Sequence, residues 1–253
     1  MKIGFAQKDI TPAIGKQMPG GAHVLTATKP PRGKLLATAA AFEENGEAVL
    51  LVSIDMLHMS DAFAADVRAR IAAATGIPCE RVMLCATHSH TAGAMGHSIW
   101  DCPADHEVAA LTANGAAEAA REAFETRLME LLDENGIDII ILAGFMTILT
   151  ERFTAHYPKR ILNVHPSLIP SFCGEGFYGL RVHEEALKYG VKVTGATVHF
   201  VNEIPDGGEI IAQKAVSIEE GDTPEILQRR VMEQAEWILL PQAAEKVCAD
   251  LQK

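Results

Sequence analysis

What the sequence lacks narrows the field first. No two cysteines stand in CxxC spacing: Cys79, Cys85, Cys102, Cys173 and Cys248 are odd in number and scattered, a pattern of reduced thiols rather than of a disulfide scaffold. Positive charge is short, with 22 Lys and Arg against 33 Asp and Glu, a net charge of −11 and a pI of about 5.4. That balance argues against a broad nucleic-acid-binding face. It leaves phosphorylated small molecules open, because a helix amino terminus and a few local cations hold an anion. No window reaches the roughly 18 apolar residues of a membrane span. The opening MKIGFAQKDITP has no basic stretch leading into an apolar run, as a secretory signal would. Internal repeats and low-complexity tracts are missing too. The expectation is a cytoplasmic protein acting on small molecules, with neither a nucleic-acid nor a membrane partner.

What is present suits a globular protein. The 253 residues are 48% hydrophobic, enough for one large domain or two smaller ones. The first stretch starts with a short strand, KIGFA, and passes through Pro19, Gly20, Gly21, Pro30 and Pro31. A strand pair follows, LLATAAAFEENGEAVLLVSID, with its turn at Glu44–Gly46. Next come an Ala-rich helix over Ala62–Ala74 and a strand over Arg81–Ala86 that delivers THSHT at its end. From Met95 to His106 the pattern is irregular and marks a seam. Beyond a long helix over Val108–Glu134, strands and helices alternate as in an α/β unit. IDIIILAGF, ILNVH, VKVTGATVHFV and EIIAQKAVSI read as strands. VHEEALKYG reads as a helix stopped by Gly190, and a final helix runs from about Thr223 to Ala249 with Asp222–Thr223 as its cap.

Chemistry concentrates in the second half. His165 ends an apolar strand in NVHPSLIPSF, where Pro166 and Pro170 force the chain out of regular structure. Ligands gather at the carboxyl ends of strands in open α/β sheets, and a His there can act as acid or base near neutral pH. Asn163, two residues earlier, leaves the strand on the same face. An amide donor beside a His can stabilise an oxyanion; equally, both residues can simply satisfy backbone groups at a strand end. Asp206 stands in PDGG, ordinary turn chemistry, or else a carboxylate that pairs with His165 and relays protons.

The segments REAF, IDIIILAGFMTIL, RILNVHPSLIPSF, GVKVTGATVHFVNEIPDGGEIIAQ and RVMEQAEWILLP decide between these readings. Running from about Arg121 to Lys246, they resemble the glycinamide ribonucleotide (phosphoribosylglycinamide) formyltransferases in order and spacing. HPSLIP is shared with other folate-dependent formyltransferases; LAGFM with TGATVHFV and PDGG is particular to the purine enzymes. The resemblance implies a formyl transfer from 10-formyltetrahydrofolate to glycinamide ribonucleotide in de novo purine synthesis, with Asn163, His165 and Asp206 catalytic. It implies a folate pocket from Arg121, the backbone of Met146, Thr147, Ile148 and Leu149, and Asn163, with Glu236 contacting the substrate. Thr147 stands where an Arg is common, and CGEGFYGLRVH is longer than in some members.

The first half departs from that pattern. A strand followed by a GxGSN-type loop, whose amides hold the ribonucleotide phosphate, is not recognisable between Met1 and Ala120. Instead KDITP, RGKLLATAAAF, AVLLVSIDM and LCATHSHTAGA resemble the start of neutral/alkaline ceramidase-like zinc amidohydrolases. In that family His88, beside His90, would match a metal ligand. A catalytic zinc needs about three protein ligands, and His97, Asp101 and His106 match no recognised spacing, so no metal is expected. The expected class is therefore α/β: the C-terminal half of a formyltransferase-type Rossmann-like sheet joined to an α/β N-terminal segment of different origin. The division is 1–106, ceramidase-like, and 107–253, catalytic and folate-binding. Two alternatives stay open: an impaired hybrid that binds folate only, and a metal-dependent amidohydrolase. A sheet edge left uncovered by missing strands would invite self-association.

Overall fold

The structure, a computed structural model, describes residues 2–18, 24–29, 31–95, 103–145 and 147–252. They form two compact units, Met1–Asp133 and Glu134–Lys253. The division falls later than the seam of origin read at 106/107. The reason is the long helix His106–Glu134: its residues Ala113, Ala116, Ala119, Ala120 and Ala123 are buried in the core of the first unit.

The first unit is built on a four-stranded sheet. Strands β1 (Lys2–Asp9), β4 (Leu36–Glu44) and β5 (Glu47–Ile54) are antiparallel, and β6 (Val82–Ala86) runs parallel to β5. The β4–β5 turn is set by Asn45 and Gly46, with φ of 55° and 80°, the pair of left-handed conformations that a tight hairpin requires. A two-stranded ladder of β2 (Gln17–Met18) and β3 (Leu25–Thr26), which the sequence pattern does not announce, lies between β1 and β4 in the chain. The parallel crossover from β5 to β6 is helix α1 (Asp61–Thr75), capped by Ser60 and stopped at Gly76 with φ 73°.

Alternation along these strands sorts the two sheet faces. Ala37, Ala39, Ala41, Leu50, Val52 and Ile54 pack with α1 and with helix α2 (His106–Glu134). The opposite face presents Ile3, Phe5, Val49 and Met83, which are exposed. The Ala-rich stripe of α2 lets helix and strand approach closely: a Cβ on Gly4 would meet the Ala123 carbonyl at 2.0 Å.

The second unit has its own four-stranded sheet, ordered β10-β9-β8-β7. Strand β7 (Ile140–Leu142) is parallel to β8 (Ile161–His165); β8 and β9 (Val193–Phe200) are antiparallel, as are β9 and β10 (Ile210–Ser217). β7 is shorter than IDIIILAGF promises, because the chain leaves the ladder at Ala143 and turns through Gly144 at φ 69°. Helix α3 (Glu151–His156), unforeseen from the pattern, is capped by Thr150 and buries Phe153. Helix α4 (Leu180–Tyr189) stops at Gly190 with φ 83°, as the glycine signal implies.

The last helical run comprises α5 (Pro224–Val231), a π turn (Met232–Glu236) and α6 (Trp237–Leu251). Thr223 caps it, its Oγ1 accepting from the Ile226 N–H at 3.3 Å. Leu227, Val231, Ala235, Leu239, Ala243 and Val247 face Leu162, Ala196, Val198 and Val216 of the sheet. A four-residue repeat drifts about 40° per step around an α-helix. The wider π turn takes up part of that drift and keeps the stripe on the sheet. Truncating fully buried Leu227 to Ala would cost about 2–5 kcal/mol. No described helix is long and apolar enough to cross a membrane.

Candidate active site

The carboxyl ends of β7 and β8 open into a cleft of about 830 Å³. Leu142–Phe145 and Thr147–Leu149 form one part of its wall, and Asn163–Pro166 another. The loop Gly174–Gly179, the loop Asn202–Asp206 and the Glu236 end of the π turn complete it.

His165 is buried at the end of β8. Its Nδ1 lies 3.4 Å from Asp206 Oδ2, and its Nε2 donates to the Phe172 carbonyl at 2.8 Å. Asp206 has φ 55°, a left-handed conformation that Asp tolerates better than most residues. The turn carrying it is pressed onto the sheet: a Cβ on Gly208 would meet the Phe200 carbonyl at 1.7 Å. Burial pushes the Asp206 carboxyl up. The nearby His199 ring, the Gly174 N–H at 2.9 Å and the electrostatic attraction of His165 and His199 outweigh that, holding it below the ordinary carboxylate value. Asn163 leaves β8 on the face of His165 and donates its amide to His199 Nε2 at 3.2 Å.

His199 is the residue that motif reading passes over. It stands opposite Asn163 across the β8–β9 ladder, buried, with Nδ1 donating to the Phe200 carbonyl. Its Nε2 accepts from Asn163 and lies 3.7 Å from Asp206 Oδ1. The available signal was a lone His within a strand buried on both faces. His183 on α4 is fully buried with neither ring nitrogen hydrogen-bonded to protein. Burial, and then the charge of His165, push it down to about 4.

A profile of the formyl transferase family matches residues 80–243. The chain belongs to that family. The match begins upstream of the 106/107 seam and takes in β6 and α2. Among curated relatives, the chloroplastic phosphoribosylglycinamide formyltransferase of Arabidopsis thaliana is 44% identical over 107 residues, 42% of this chain and 37% of that protein. The trifunctional purine biosynthetic protein adenosine-3 of Bos taurus is 46% identical over 129 residues, 51% of this chain and 12% of that one. The phosphoribosylglycinamide formyltransferase of Escherichia coli K12 is 39% identical over 127 residues, 50% of this chain and 58% of that one. The chain thus spans less than two thirds of the length of each.

In this member of the formyl transferase family, Asn163, His165, Asp206, Thr147, Ile148, Leu149 and Glu236 all line the same cleft. Met146 lies outside the described residues. Burial pushes the Glu236 carboxyl up. Arg121 belongs to α2 of the first unit, where its Nε is buried without a hydrogen-bond partner. In the same unit His88 has φ 62° and donates Nδ1–H to the Leu57 carbonyl at 2.8 Å, its ring 4.8 Å from that of His90. His106 begins α2; His97 and Asp101 lie outside the described residues. Among the described residues, no group of three or more His, Cys, Asp or Glu side chains could hold a metal ion.

Proposed function

We propose that the cleft transfers the formyl group of 10-formyltetrahydrofolate to the amine of glycinamide ribonucleotide, a step of de novo purine synthesis. The observation that carries this reading is the pairing of His165 Nδ1 with Asp206 Oδ2 at 3.4 Å, beside Asn163, in a cleft of about 830 Å³. That volume suits a folate-sized ligand. The relatives above, phosphoribosylglycinamide formyltransferases by name, support the choice of acceptor and of the group transferred.

In the proposed reaction the amine lone pair attacks the formyl carbon. Negative charge builds on the formyl oxygen, where the Asn163 amide and the His165 Nε2–H donate to it. For that, His165 exchanges its bond to the Phe172 carbonyl for one to the substrate. The carbon–N10 bond then breaks, the amine loses its proton, and N10 gains one through His165, whose ring Asp206 orients and balances electrostatically. The backbone of Thr147, Ile148 and Leu149 reads the pterin edge, and Glu236 contacts the acceptor.

Residues 1–106 are read as a segment of separate, ceramidase-like origin, and 107–253 as the folate-binding portion. A cytoplasmic setting without nucleic-acid partners fits the net charge of −11. The edge strand β7 of the second sheet offers a route to self-association.

Formyl transfer from 10-formyltetrahydrofolate to glycinamide ribonucleotide tests the reading. His165→Ala is expected to lower kcat about 10²- to 10⁴-fold while folate binding persists. Turnover that survives this substitution would remove the mechanism.

A further inference from the structure

The segment CGEGFYG, conspicuous for its length, has no role in the chemistry described so far. With Phe172 before it, the segment is tied to the reaction centre by two backbone bonds. His165 Nε2 donates to the Phe172 carbonyl at 2.8 Å, and the Gly174 N–H donates to Asp206 Oδ2 at 2.9 Å. Gly174, Gly176 and Gly179 have φ of 88°, 84° and 55°, conformations that side chains with a Cβ rarely adopt, so these glycines write the loop's course into the sequence. Phe177 turns back on Phe172, their ring centroids 6.4 Å apart. Tyr178 is left 55% exposed on the cleft wall. A half-exposed aromatic side chain on a concave wall is a ready contact for a flat ligand ring.

Chemistry says which ring. In the donor named above, the nitrogen that carries the formyl group is bonded directly to a benzoyl ring. The reacting carbon has to lie at His165, so that ring lies within a few bonds of His165 and beside the loop to which His165 is bonded. We propose that Tyr178 is a specificity-determining residue that stacks on the aryl ring borne by the formyl-carrying nitrogen of the donor. The inference rests on the reading of this cleft as a folate site. It accounts for an exposed aromatic residue in a glycine-fixed loop, and it separates the loop's two duties. Gly174 positions Asp206, and Tyr178 selects the donor.

Two measurements on the full chain test it: calorimetric titration with tetrahydrofolate, and steady-state formyl transfer from 10-formyltetrahydrofolate. Tyr178→Ala is expected to raise the folate Kd and the donor KM about three- to tenfold. It should leave kcat and the acceptor KM within about twofold, the signature of lost uniform binding. Tyr178→Phe should restore wild-type values, since the ring and not the hydroxyl makes the contact. Trp237→Ala, removing an equally exposed cleft aromatic, is the competing arm and should raise the donor KM less than Tyr178→Ala does. Equal Kd and KM in Tyr178→Ala and wild type overturn the inference and leave the transferase reading standing. A donor KM raised by Trp237→Ala alone also overturns it, assigning the ring to α6. Wild-type protein that binds no tetrahydrofolate overturns both.

Discussion

Gly174 donates its backbone N–H to Asp206 Oδ2 at 2.9 Å, so the carboxylate that faces His165 is held by a loop distant in sequence rather than by its own turn. Gly174 sits at φ 88° with nothing within 4 Å of where a Cβ would stand. The expense of a side chain there is therefore conformational rather than steric, about 1–2 kcal/mol. Gly174→Ala should lower kcat about tenfold as the N–H moves off Asp206, with the donor KM little changed. Steady-state kinetics beside a thermal melt check this; an unchanged kcat in a folded variant would show that Asp206 does not need the bond.

The lowered carboxyl of Asp206 makes a signed prediction. A carboxyl depressed in the folded protein contributes stability above its unfolded value, and that contribution is lost as pH falls through the folded value. Asp206→Asn should therefore flatten the acid end of the stability curve. It should also lower kcat at neutral pH by about 10²-fold or more. Denaturant melts from pH 3 to 7 and a kcat profile read the two effects separately.

His183 works in the opposite direction. Its ordinary value of 6.5 is pushed down to about 4, so between those values the unfolded chain binds the extra proton. Stability is full above about pH 6.5 and declines as pH falls toward 4, by on the order of 3 kcal/mol. His183→Leu should remove that decline while leaving a folded protein at pH 7. Urea melts across this window test it, and an unaltered slope in the variant would count against His183 as its source.

Glu236 carries a raised carboxyl because it is half-buried in the cleft wall, where water is partly excluded. Its charged form is disfavoured by the fold, so the penalty acts above the unfolded value of 4.5 and fades on acidification. Glu236→Gln should raise Tm by a few degrees at pH 7 and less at pH 4. If Glu236 contacts the acceptor, the same change raises the acceptor KM and not the donor KM. A Tm gain independent of pH would argue against burial as the cause.

Much of the second unit was legible because its signals are local. Gly190 ends α4, Thr223 opens the last helical run, and the alternation of ILNVH puts Asn163 and His165 on one face. The cross-strand partner was not legible: His199 meets Asn163 only through the register of β8 and β9, which no single segment encodes. The Asp206–Gly174 bond spans 32 residues, so it escaped for the same reason. In the first unit the seam was placed in the irregular stretch from Met95 to His106, and the packing role of the Ala-rich run of α2 was not legible. Its small side chains are what let the helix lie against Gly4. The π turn gave no warning either, since it shows only as a four-residue apolar spacing that an α-helix could not hold on one face.

The Phe172 carbonyl takes the Nε2 proton of His165 at 2.8 Å, and Phe172 itself sits at φ 49°. In the proposed mechanism the polypeptide supplies its own decoy for the formyl oxygen. Any donor that reaches the cleft must displace an intramolecular rival whose hold is about 1 kcal/mol, which weakens apparent affinity roughly fivefold. In the proposed mechanism the exchange would also act as a gate: the proton of His165 stays masked until a carbonyl of the right reach replaces the one already there.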